Sequence, residues 1–161
     1  MYKNKIRATR ILLIFILALL VVVLYGKLRV YKDVDLNKIG NTLLSKNKTA
    51  ENFIKGDDKS LKRYYGLNEK DYDEVLYYKP KSNMDVDEVL VVKVNNKSQI
   101  DFIEDSMNSR IKSQENTFRD YAPEQYSIVK NNEMMIKGNY VFLAISKDAE
   151  KIKERFIDSI E

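Results

Sequence analysis

Two short acidic runs hold the groups in this chain that could do chemistry: Asp71-Tyr72-Asp73-Glu74 and Asp85-Val86-Asp87-Glu88. Closely spaced carboxylates offer the hard oxygen ligands that Ca²⁺ takes, but neither run has the spacing or the glycine of an EF-hand loop. A carboxylate pair could also hydrolyse a glycosidic bond, with one group acting as acid and the other as base or nucleophile. Both runs stand just before segments of strand character, where solvated turn residues are expected. With 24 acids in 161 residues, two acids lying close together carries little weight. No catalytic residue and no metal ligand is assigned on this basis.

The missing residue types exclude more. The chain has no His and no Cys. Zinc sites of the thiolate and imidazole kind therefore have no ligands. Nucleophilic catalysis by Ser–His–Asp or Cys–His lacks its groups. No disulfide can form, and no thiol is present to carry a lipid. No glycine-rich phosphate loop occurs, so no nucleotide cofactor is expected. Eleven tyrosines could stack on sugars. Tyr77 and Tyr78, however, are neighbours in a strand-like run and point to opposite faces, so they cannot form one platform.

Local patterns indicate the elements that position these groups. Asp35 caps a helix over 34–47, with Leu36, Ile39, Leu43 and Leu44 on one face. Residues 46–51 are polar and read as a linker. Asp58–Tyr65 reads as a short helix closed by Gly66. Glu74–Lys79 and Asp87–Val94 read as strands. Ser98, with Asp101 three residues on, opens a long helix. Its apolar stripe is Ile100, Ile103, Met107, Ile111 and Phe118. Its solvated face is Asp101, Glu104, Asp105, Arg110, Lys112 and Glu115. Pro123 starts a short helix to about Lys130, or a strand runs through Ser127–Lys130. Glu133–Lys137 and Tyr140–Ser146 form a hairpin about Gly138-Asn139. Ser146 or Asp148 caps a last helix, which buries Ala149, Ile152, Phe156 and Ile160.

Ahead of these elements lies Ile11–Gly26 (ILLIFILALLVVVLYG), a run without charge. Sixteen helical residues rise about 24 Å, against a bilayer core of about 30 Å. Flanking residues lengthen it, and Arg7, Arg10, Lys27 and Arg29 can reach the head groups. A cleaved signal peptide is the rival reading. The run ends in Val23-Leu24-Tyr25-Gly26, with bulky side chains where cleavage needs small ones. The expected organisation is a basic cytoplasmic tail at 1–10, a transmembrane anchor or uncleaved signal at 11–30, and an extracytoplasmic domain at 34–161. The Lys and Arg bias favours the N-terminus inside.

The net charge of +4 belongs to the membrane end. Seven of the 28 basic residues and one of the 24 acids lie in residues 1–33, leaving 21 against 23 for the rest. A nucleic-acid binder carries its positive charge on the domain that binds. Nucleic acid is therefore discounted as a partner.

The stretch Gln114…Phe118…Tyr121-Ala122-Pro123-Glu124-Gln125, followed by Lys137-Gly138-Asn139-Tyr140-Val141 and a closing helix, resembles the bacterial family called domain of unknown function 4358. The likeness extends from about Leu36 to the C-terminus. It implies a small extracytoplasmic protein, tethered as a lipoprotein or by a single span in Gram-positive bacteria. Lacking Cys, this chain departs from the lipoprotein form. The resemblance assigns no activity and no catalytic residue. Tyr121, Pro123, Gln125, Gly138 and Tyr140 carry the motif. They form either a rigid corner and hairpin or a recognition site for a peptide or glycan.

The expected fold is α+β: an N-terminal transmembrane helix, then one mainly antiparallel four-stranded sheet with helices packed on one face. The expected role is a non-enzymatic interaction module of the bacterial cell envelope, held by membrane lipid through its N-terminal helix. Another envelope protein, engaged at a sheet edge, is its candidate partner. A carboxylate-based envelope hydrolase is the alternative.

Overall fold

A computed structural model describes residues 2–27, 31–44 and 50–161. The chain divides into two compact units, residues 1–31 and 32–161. The first is one helix, α1 (Tyr2–Lys27). Its side chains from Ile11 to Val22 are all exposed. These twelve residues rise about 18 Å. Among the described residues no helix is long and apolar enough to cross a membrane.

The second unit is built on five antiparallel strands: β1 (Phe53–Lys55), β2 (Glu74–Pro80), β3 (Glu88–Lys93), β4 (Glu133–Lys137) and β5 (Tyr140–Ile145). Their order across the sheet is β1-β2-β3-β5-β4. Five helices accompany them: α2 (Leu36–Leu44), α3 (Asp58–Tyr65), α4 (Ile100–Phe118), α5 (Pro123–Lys130) and α6 (Ala149–Ile160). The expected four strands are thus five. β1 is three residues long, too short for any period to show in the sequence. Pairing with the end of β2 makes it a strand, in register Phe53↔Pro80, Ile54↔Lys79 and Lys55↔Tyr78.

The helices cover both faces of the sheet, not one. β3 (EVLVVK) and β5 (YVFLAI) have no polar alternation, and all but Lys93 of these residues are buried. A strand apolar on both sides needs cover on both sides. On one face Tyr77, Leu90, Val92, Val141, Leu143 and Ile145 pack with Leu61, Ile103, Met107, Phe118 and Val129 of α3, α4 and α5. On the other, α2 lies against β2, and α6 against β5 and β4. There Phe142 stacks on Phe156 with ring centroids 5.2 Å apart.

Caps and turns agree with local chemistry in most places. The Asp35 carboxylate accepts from the Asn37 and Lys38 N–H groups at 3.0 and 3.3 Å, starting α2 as expected. Residues 45–49, most of the expected linker, lie outside the described residues. Asp57 and Ser60 form a reciprocal capping box for α3, which ends at Gly66 with φ 70°. The long helix begins differently from expectation. Asn96 and Gln99 form the capping box, around a 3-10 turn at Lys97–Gln99, and α4 follows from Ile100. Pro123 opens α5, so residues 123–130 are helix and not strand. Gly138 turns the β4–β5 hairpin with φ 60°. Asp148 precedes α6 without a side-chain capping bond.

Candidate functional site

Glu88 is the first residue of β3 and has no solvent exposure. Its place in the strand points it to the face covered by α4. There Arg110 grips it with both edges: Nε donates to Oε1 at 2.8 Å and Nη2 to Oε2 at 3.1 Å. Both were expected in water. Arg110 is on the inward side of α4, one turn from Met107 and Gln114, and its side chain is 11% exposed. Two polar residues in the buried stripe, Arg110 and the 5%-exposed Gln114, were the signal that periodicity alone passed over.

Tyrosines enclose this ion pair. The Arg110 guanidinium lies 4.4 Å from the centroid of the Tyr64 ring, a contact strengthened by the loss of water. Tyr65 and Tyr77 meet edge to face, with centroids 5.6 Å apart. Their hydroxyls are buried and close no hydrogen bond of normal geometry. Burial, and then the Glu88 charge, push both phenols up from their ordinary range. Burial also raises the Glu88 carboxyl, while Arg110, Tyr65 and Gln114 pull it back. Burial works against the Arg110 charge, and Glu88 more than offsets it. Such a pair costs several kcal/mol in desolvation, which its attraction offsets only where the geometry is close. It holds here because the geometry is bidentate.

Beside Arg110 opens a cleft of about 220 Å³, lined by Tyr64, Lys79, Lys81, Asn83, Asp85 and Gln114 among others. Its lining carries one carboxylate, Asp85, and three cations.

Asp87 behaves otherwise. It is 4% exposed and precedes Glu88 directly, so the two carboxyls do not share a face. Its Oδ2 accepts from the Asn52 amide at 3.3 Å, and Oδ1 is buried without a partner. Burial raises its carboxyl, with Ser146 and Asn52 drawing it partly back. The acidic run 85–88 is therefore divided by the strand pleat. Among the described residues no group of three or more acids is placed to hold a metal ion.

In the other acidic run, Asp73 and Glu74 meet Lys93. The Lys93 ammonium lies 2.5 Å from Asp33, 2.6 Å from Asp73 and 3.1 Å from Glu74. Burial opposes its charge, and the three carboxylates outweigh burial and raise its pKa. Glu74 also accepts from the Leu36 N–H at 2.7 Å. The cluster fastens residues 33–36 to the sheet.

The motif residues are not brought together. Tyr121 is 57% exposed and tilts against Phe118 at 5.7 Å. Pro123 is the first residue of α5. Gln125 buries its Oε1 without a partner. Gly138 serves the hairpin. Tyr140 is on the opposite face of the sheet, against Phe156. Its hydroxyl accepts from the Val34 N–H and donates to the Lys32 carbonyl, each at 3.1 Å.

Residues 46–146 match the family described as Domain of unknown function (DUF4358). The chain belongs to the DUF4358 family. The match is narrower than the likeness read from Leu36 to the C-terminus. It contains all five strands and α3, α4 and α5, and so both partners of the Glu88–Arg110 pair. In this DUF4358 protein α2 and α6, which cover the other face, lie outside the matched segment. No curated protein and no solved structure matches the chain.

Proposed function

We propose that this DUF4358 protein is a membrane-tethered interaction module of the bacterial cell envelope, with residues 32–161 on the outer side of the cytoplasmic membrane. The observation that carries the reading is the exposure of every side chain from Ile11 to Val22, on all sides of α1. Twelve consecutive exposed apolar residues have no stable place in water. The sequence continues uncharged to Gly26, which brings the run to roughly 24 Å, a length that a locally thinned bilayer with snorkelling flanks accepts. Basic residues flank it on both sides, as head groups favour.

Interaction has more support than bond cleavage. A carboxylate hydrolase needs an acid of raised pKa facing a second carboxylate across a cleft. The two carboxyls raised by burial, Asp87 and Glu88, are on opposite faces, and Arg110 occupies Glu88. A partner of the proposed kind, another envelope protein, would find the outer edge of β4 at the end of the strand order with main-chain groups to pair.

The test combines alkaline carbonate extraction with proteolysis of protoplasts. The chain is expected to stay with the membrane fraction while residues 32–161 are digested from outside. Release by carbonate, or full protection from protease, overturns the reading. Crosslinking from Ile136 in β4 in intact cells is expected to capture an envelope protein. Cleavage of an envelope polymer by the purified chain, with no captured protein, favours the hydrolase instead.

A further inference from the structure

We propose that the cleft beside Arg110 is a binding site for a phosphodiester group, with Lys79 and Lys81 holding its charge. This inference is independent of the tether.

The positive charge of Arg110 is matched by Glu88 beneath it. That leaves Lys79 and Lys81 against Asp85 on the cleft lining, an excess of one positive charge. Lys79 is half-buried. Neither lysine has an ion-pair partner among the described residues, whereas Lys93, Lys137, Lys147 and Lys153 all do. Lys79 and the Asp57 carboxylate attract at longer range, without closing a salt bridge. A singly charged anion in the cleft would give the lysines a partner in direct contact.

The donors then narrow the class. Nε and Nη2 of Arg110 are engaged with Glu88, and Nη1 has no hydrogen-bond partner among the described residues. Tyr64 holds the guanidinium plane from one side, so the unused edge is fixed before any ligand arrives. Lys79 belongs to β2, Asn83 to the turn after it, and Arg110 to α4. Donors from three elements suit a tetrahedral group, whose oxygens point several ways. A planar carboxylate accepts in one plane. The volume of about 220 Å³ is below the roughly 300–1,000 Å³ of sites for drug-sized molecules. It fits a head group and not a long polymer segment.

The experiment uses the full chain in a neutral maltoside micelle, titrated with glycerophosphoglycerol. The Arg110 Nε–H, buried and hydrogen-bonded, is the NMR reporter. A saturable shift is expected. Lys79→Gln with Lys81→Gln should weaken it by about fivefold or more, the scale of two partly exposed charge pairs. Lys112→Gln, on the exposed side of α4, should leave it unchanged. No saturable shift with either the soluble diester or phosphatidylglycerol, equal affinity in the double variant, or an equal response to acetate overturns the proposal. A second arm places the chain in phosphatidylcholine nanodiscs with or without phosphatidylglycerol. A shift with phosphatidylglycerol alone supports the site and makes its source a lipid head group. A shift only with the soluble diester supports it with a soluble source.

Discussion

Arg110 holds Glu88 through two parallel hydrogen bonds, at 2.8 and 3.1 Å, in a place where the carboxylate has no contact with water. One partner comes from the start of β3 and the other from the middle of α4, 22 residues apart in the chain. The pair ties the helix to the sheet at one register, since a slide of one turn would leave two buried charges unmatched.

Arg110→Met should therefore destabilise the unit by about 3–5 kcal/mol, the cost of leaving a buried charge alone. Glu88→Leu combined with Arg110→Met should recover most of that loss, because neither charge then remains. Urea denaturation of the full chain in maltoside measures both. Equal stability of Arg110→Met and the natural protein would show that Glu88 is hydrated.

Two glycines should rank by geometry. A Cβ at Gly56 would fall 2.1 Å from Cδ1 of the Tyr77 ring, whereas at Gly66 it would meet nothing within 4 Å. Gly66 holds φ +70°, so Gly66→Ala should cost about 1 kcal/mol through backbone strain. Gly56→Ala should cost about 2–3 kcal/mol, because the ring and β2 must move. Melting temperatures in the reverse order would contradict the placement of Tyr77.

Burial raises the Asp87 carboxyl above its ordinary value. The folded chain thus takes up that proton at a higher pH than the unfolded chain, whose Asp carboxyls titrate at about 3.9. Between those two values stability is gained as pH falls and lost as it rises. The stability of the natural protein relative to Asp87→Asn should grow as pH is lowered from 7 towards 4. Parallel pH profiles of the two proteins would mean that Asp87 is solvated.

Tyr140→Phe keeps the edge-to-face contact with Phe156 but loses the bridge from Val34 to Lys32. A loss of about 1 kcal/mol is expected, the net worth of a hydrogen bond. Amide exchange at Val34 should become faster. Unchanged exchange there would show that the Lys93 cluster alone holds this segment.

Local chemistry in the sequence determined much of this protein. Asp35, Gly66 and Gly138 act on backbone groups within a few residues of themselves, so the starts and stops they mark were legible without knowing any contact, whereas Pro123 left helix and strand both open until the structure showed α5. The stripes Ile103–Met107–Ile111–Phe118 and Ala149–Ile152–Phe156–Ile160 were legible for the same reason: a helix repeats every 3.6 residues wherever it packs. The absence of His and Cys is a property of composition and holds in any fold.

Only the tertiary structure decided what depends on two distant segments. β1 is a strand because β2 lies beside it. The double cover of the sheet needed α2 and α6 on one side and α3, α4 and α5 on the other. The unbroken apolar runs of β3 and β5 are its trace in the sequence. Arg110 and Glu88 show the limit most clearly. Each has the composition of a surface residue, and burial becomes tolerable only when the other is within 3 Å. A charge read alone belongs in water. Its partner, 22 residues away, is what moves it into the core.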